Sequence, residues 1–182
     1  LFIDAKAFHK LGGLDVDFFA HMEEIDLCWR LKNRGLRIGV CGQSVVYHLG
    51  GGTLQKISPF KTYLNFRNNL FLLVKNHHKK ALYPMLFKRM ILDGIASAKF
   101  LSEGSWNLFL AVTRAHRDFY KSFFKMRRKR RDEMLATNST STANDSRNYC
   151  GWYYRSIVWD YFVAGRQVFQ DLDPDHFDAG NN

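Results

Sequence analysis

The alternation of apolar and polar positions changes character several times along the chain. Leu1-Phe2-Ile3 reads as a short strand, and Ala5 to Leu11 as a short helix stopped by Gly12-Gly13. After Phe18-Phe19 an acidic cluster runs into Ile25-Asp26-Leu27-Cys28-Trp29-Arg30-Leu31. Ile25, Cys28 and Trp29 share the i, i+3, i+4 spacing of one helix face, and Gly35 ends the pattern. Leu36 to Cys41 and Ser44 to His48 then read as two strands, the second carrying Val45-Val46-Tyr47, before Gly50-Gly51-Gly52 breaks regular structure. Residues 1–57 therefore predict a compact α/β unit.

From 58 to 131 the spacing becomes helical. Ser58-Pro59 and Tyr83-Pro84 place proline where a first helical turn tolerates it, and Ser58 suits a cap. A third helix starts at Ser105-Trp106 and runs into Lys125-Met126-Arg127-Arg128-Lys129-Arg130-Arg131. These helices are aromatic on one side and basic on the other. Residues 132–148 turn polar, with Ser, Thr and Asn in Thr137 to Thr142, and read as a linker. Residues 149–182 hold an aromatic, amphipathic segment expected to fold back on the rest, then a tail.

Composition narrows the classes. A hydrophobic fraction of 46% with 15% aromatic residues supplies a core and argues against global disorder. Lys and Arg number 27 against 17 Asp and Glu, a formal charge of +10, which points to an anionic partner without choosing nucleic acid, membrane or phosphate. Cys28, Cys41 and Cys150 are odd in number and lack C-x-x-C spacing, so a reducing compartment is expected. Uncharged apolar stretches such as Gly104 to Thr113 fall short of the roughly 18–20 residues that span a bilayer. The sequons at Asn138 and Asn144 fit chance occurrence in a polar loop. Leu1-Phe2-Ile3 reads as the middle of a buried strand, so further residues are expected upstream.

Three groups carry candidate chemistry. Glu23, Glu24 and Asp26 lie where a loop enters a helix, whose N-terminus favours the ionised carboxylate that a base requires. Acids are also ordinary helix starters, and Asp26 with Arg30 at i, i+4 also fits a surface pair. His48, at a strand end before the triple glycine, suits a metal or phosphate ligand, or a structural edge residue. The glycines do not have P-loop spacing. Lys61 and Arg67, in a basic-aromatic helix, would meet a diphosphate or form a solvated face. The run Arg127 to Arg131 fits a solvated helix end or an anionic-lipid contact.

The order of these segments resembles a known family. Gly12-Gly13-Leu14-Asp15-x-Asp17-Phe18-Phe19, then His21-Met22-Glu23-Glu24-Ile25-Asp26-Leu27-Cys28-Trp29-Arg30, then Ser44-Val45-Val46-Tyr47-His48, looks like the family 2 glycosyltransferases. The bacterial rhamnosyltransferase-like group that builds cell-surface polysaccharides is the nearest in pattern. The likeness extends through Lys61 to Asn69 and to Ser156 to Phe162.

The resemblance implies the C-terminal part of a GT-A fold, a mixed sheet flanked by helices, followed by an amphipathic helical region. It implies an inverting transfer from a nucleotide-sugar donor to a saccharide or lipid-linked acceptor, assisted by Mg²⁺ or Mn²⁺. Glu24 falls at the family's base position, where Asp is usual; Glu23 and Asp26 match its neighbouring acids. His48 matches a histidine that joins metal or diphosphate contacts, with Lys61 and Arg67 as further diphosphate ligands. The family's D-x-D motif and donor-binding strands are not in this sequence, so the 182 residues alone are expected to be inactive. A cytoplasmic location, peripheral at the inner membrane face, follows from the same likeness. The rival reading is a non-enzymatic peripheral membrane module. No helix-turn-helix, zinc-finger or RNP-type pattern supports nucleic-acid binding.

Overall fold

A computed structural model describes residues 2–39, 41–45, 47, 58–77, 82–138 and 153–177. Among them there is no β-strand, and the architecture is all-α rather than the α/β GT-A part expected from the sequence. The elements are α1 (Ala5–Lys10), α2 (Glu23–Asn33), α3 (Pro59–Asn76), α4 (Leu82–Ser102), α5 (Trp106–Asn138) and α6 (Ile157–Phe162). Short 3₁₀ turns lie at Val16–Phe18, Phe169–Asp171 and Pro174–His176.

The missing sheet has a physical reason. A strand is stabilised by cross-strand pairs, and β-branched or aromatic character alone does not make one. The described residues of the three expected strands find no ladder partner. Most of their apolar side chains stay in solvent: Phe2, Leu36, Ile38, Val45 and Tyr47 are exposed, while Ile3 packs partly buried against Leu11, Leu27 and Leu31. Leu1, Val46 and His48 lie outside the described residues.

The helices obey the local signals more closely. Asp4 Oδ1 accepts from the Ala7 amide at 2.8 Å and starts α1. Its end closes as a Schellman motif, with the Gly12 amide on the His9 carbonyl and the Gly13 amide on the Phe8 carbonyl. Gly12 and Gly13 have φ of 76° and 70°, and a Cβ on Gly13 would lie 3.1 Å from the Phe8 ring. Gly35 ends α2 in the same way. Ser58 Oγ caps α3 through the Lys61 amide at 3.1 Å, with Pro59 in the first turn. The helix expected to end at Arg131 continues to Asn138, through the first seven residues of the expected linker; 139–148 lie outside the described residues.

α4 returns antiparallel into α5 through a tight turn at Gly104, and α3 runs parallel to α5. The Tyr63 hydroxyl meets Asp118 at 2.9 Å at one end of α3, and Arg130 donates to the Val74 carbonyl at 3.0 Å at the other. His116 of α5 reaches Asp93 of α4 at 3.0 Å, where Arg89 also pairs. Leu70, Phe71, Val74, Leu82, Leu86, Phe119 and Met126 fill the space between these three helices. Each such side chain contributes about 1.5–3 kcal/mol on burial. Residues 153–177 close on themselves: the Tyr153 ring packs at a tilt on Phe177 at 4.8 Å, and its hydroxyl meets the buried Asp160 at 2.6 Å. No helix among the described residues is long and apolar enough to cross a membrane.

The N-terminal segment enters this core through Phe18, which is fully buried and meets Phe71 edge-on at 6.2 Å. Ion pairs latch it there. Asp15 meets Lys75 of α3 at 2.7 Å and also Lys129 of α5, and Asp17 meets Lys125 and Lys129. Burial works to raise the Asp15 carboxyl, but the Lys129 and Lys75 ammonium groups outweigh it and hold Asp15 well below the usual carboxylate range. At Asp17 burial likewise works to raise the carboxyl, but Lys125 and Lys129 outweigh it and hold the group below its ordinary value. A carboxyl lowered in the folded state stabilises the fold above its unfolded pKa of about 4, and that contribution is lost as pH falls through the folded value. Urea midpoints measured from neutral to strongly acidic pH are expected to drop below about pH 4. Asp15→Asn should lower the neutral-pH midpoint and make the acid limb shallower. An unchanged limb would remove Asp15 from the latch.

Candidate functional site

The acidic entry to α2 is shaped by an unusual backbone. Phe19, His21 and Met22 have φ of 65°, 66° and 73°, a left-handed region that non-glycine residues seldom occupy. Such conformations cost of order 1–3 kcal/mol each and persist only where the surroundings hold them. Asn68, fully buried on α3, supplies that hold: its amide nitrogen donates to the carbonyls of Phe18, Ala20 and His21 at 2.9, 2.8 and 2.8 Å. Arg67 adds Nη2 contacts at 3.1 Å to the carbonyls of Asp17 and Phe18, and its guanidinium orients the Asn68 oxygen. Two adjacent α3 side chains therefore fix the loop that starts α2.

Met22 caps α2 with no side-chain hydrogen bond, and Glu23, Glu24 and Asp26 occupy the first turn. Their surroundings then separate them. Glu24 faces solvent. Glu23 is half-buried, and its Oε2 is shielded from solvent without a hydrogen-bond partner among the described residues. Asp26 points inward and is 0% exposed.

Asp26 is occupied on both oxygens. Oδ2 accepts from Arg30 Nε and Lys75 Nζ, each at 2.8 Å, and Oδ1 from Asn76 Nδ2 at 2.7 Å. Arg30 carries the network to the glycine turn, donating to the Leu11 and Gly13 carbonyls at 2.7 Å. The i, i+4 pair is thus a buried junction, whereas the sequence equally fitted a surface pair. Asp26 cannot both hold these donors and take a proton from an acceptor hydroxyl.

The remaining candidates divide as well. Arg67 is committed to the loop carbonyls, donates to the Tyr63 hydroxyl at 3.0 Å, and lies over the Tyr63 and Phe71 rings at 5.1 and 5.2 Å. It positions the loop instead of waiting for a diphosphate. Lys61 sits half-buried in the first turn of α3. His48 lies outside the described residues, so the structure does not place it beside Glu24. For a divalent cation, no three of His, Cys, Asp and Glu converge among the described residues, and Asp15, Asp17 and Asp26 are neutralised by cations. The described residues do not fit a metal.

Sequence reasoning missed Asn68 as a clamp and Lys75 and Asn76 as partners of Asp26. A signal existed: Leu64, Asn68, Phe71 and Lys75 fall at i, i+4, i+7, i+11, so two polar residues sit on the core face of α3. Polar groups there need specific partners.

The chain matches no protein-family model, no curated protein and no solved structure.

Asn68→Leu keeps the branched shape but leaves the Ala20 and His21 carbonyls without this donor, while Phe18 keeps Arg67. We expect a loss of roughly 2–3 kcal/mol in urea unfolding and faster amide exchange at residues 19–24. Native exchange at these amides would show that Asn68 does not hold the loop.

Proposed function

We propose that this chain supplies the acceptor side of an inverting glycosyl transfer, with Glu24 as the base. The Glu24 carboxylate takes the proton of an acceptor hydroxyl, the hydroxyl oxygen bonds to the anomeric carbon of a nucleotide-sugar, and the anomeric carbon–oxygen bond breaks to release the nucleoside diphosphate. The acceptor is a saccharide or lipid-linked saccharide, as in cell-surface polysaccharide synthesis.

The observation that carries this reading is the division of labour in the first turn of α2. Only Glu24 of the three acids is exposed, on a helix start held by a strained, over-determined loop, a combination that concentrates at reactive sites. The likeness of the 12–31 segment to family 2 glycosyltransferases supplies the reaction class. Glu23 beside it is the nearest substitute. Donor contacts belong to residues other than Arg67, whose donors are already engaged.

A second reading accompanies the first. Tyr83, Phe87, Ile91 and Ile95 form an exposed stripe at i, i+4 spacing along α4, and Tyr120 and Phe124 extend it on α5. Lys88, Arg127, Arg128 and Arg131 lie exposed on the same two helices. Apolar side chains beside basic ones favour seating on an anionic membrane surface, at the inner face of the cell membrane if the acceptor is lipid-linked.

The base assignment is tested in the longest gene product that contains this chain. Glu24→Gln should lower transfer from nucleotide-sugar donors by at least about 10³-fold with donor affinity nearly unchanged, since only the proton acceptor is lost. Near-normal turnover would move the role to Glu23 or end the proposal.

A further inference from the structure

The last third of α5 holds more positive charge than a solvated helix end explains. Arg127, Arg128, Arg130 and Arg131 line one groove of about 490 Å³, between this part of α5 and the start of α4. The rest of the lining is apolar or aromatic: Leu82, Tyr83, Phe124 and Met134. Among the described residues, no carboxylate lines it. The volume lies within the usual range of small-molecule sites, about 300–1,000 Å³.

Among the described residues, the exposed Arg127, Arg128 and Arg131 meet no buried carboxylate. Arg127 and Arg131, at i and i+4, repel each other, a small but unfavourable term on a bare helix. Arg131 has only an exposed contact with Asp132 at 3.8 Å, which contributes little. Arg127 packs over the Phe123 ring at 5.9 Å, which orients its stem and leaves its charge uncompensated. Arg130 is buried and donates to the Val74 carbonyl, so its side chain is a fixed part of the wall. The nearby Lys129 is consumed by Asp15 and Asp17 on another face of the helix.

We propose that this groove binds the phosphate headgroup of an anionic lipid as a single molecule. Guanidinium groups recognise phosphate bidentately and are weakly hydrated, which suits a partly apolar site. The other half of the ligand is specified by the opposite wall. Tyr83 and Phe124 stand exposed at the groove, and the stripe through Phe87 and Ile91 leads away along α4. A free phosphate has no use for that surface; an acyl chain does. The inference deepens the membrane reading and is independent of the role of Glu24.

Calorimetric titration of the protein with dihexanoylphosphatidic acid, kept below its micelle concentration, separates a stoichiometric site from adsorption to a bilayer. We expect one-to-one binding, with inorganic phosphate and dihexanoylphosphatidylcholine at least roughly tenfold weaker. The triple variant R127Q/R128Q/R131Q alters only exposed side chains and should lose roughly tenfold or more in affinity with its urea midpoint kept. Phe124→Ala should weaken the lipid and leave phosphate unaffected. Equal affinity of lipid and inorganic phosphate, or full affinity in the triple variant, overturns the proposal. Co-sedimentation with phosphatidic acid vesicles distinguishes the two ideas: vesicle binding without monomer binding sinks the groove and spares the membrane reading. Monomer binding without vesicle binding does the reverse.

Discussion

Asp26 sits with no solvent contact among three donors from two helices, and the N-terminal segment depends on it more than on any other group. The charges around it interlock: Asp26 and Asp15 share Lys75, with Arg30 also on Asp26 and Lys129 also on Asp15. A buried ion pair seldom adds much to stability relative to an apolar replacement, but it punishes the loss of one member. What it adds here is placement. Arg30 fixes the glycine turn after α1, Lys75 and Asn76 fix the end of α3, and Lys75 passes the constraint through Asp15 to Lys129 on α5.

That junction works with a second one at the other end of the same segment. Phe18 fills the helical core while Asn68 and Arg67 of α3 take up the carbonyls around it. Between the two anchors the chain has little freedom, and three non-glycine residues accept left-handed backbone. The result is a helix start whose register is set by buried contacts and whose outermost acid, Glu24, is spared from them. Rigidity beneath and exposure above is the arrangement that suits a proton acceptor.

The helical part of this fold was legible because its signals are local. Ser58-Pro59, the glycines at 12, 13 and 35, and the turn before Trp106 each act through a cap or a positive φ within a few residues. The sheet was misread for the complementary reason. Val45 and Tyr47 have strand character, but a strand exists only with a partner, and nothing in a single segment reveals whether one is there. The end of α5 was placed too early because polar composition after Arg131 resembles a linker, while Arg34 meeting Glu133 at 2.8 Å and Arg130 on Val74 hold that turn in contact with the rest. In the site, the acidic triplet was visible, but its division was not. Which acid turns inward follows from Lys75 and Asn76, 49 and 50 residues away along the chain.

The central claim is that Asp26 holds the fold and Glu24 does not, and equilibrium urea unfolding of Asp26→Asn beside Glu24→Gln tests it most directly. Asp26→Asn leaves Arg30 and Lys75 buried against a neutral partner and should cost about 3–5 kcal/mol, whereas Glu24→Gln should stay within about 0.5 kcal/mol of the parent. An Asp26→Asn protein as stable as the parent would contradict the account and return Asp26 to the list of groups free to do chemistry.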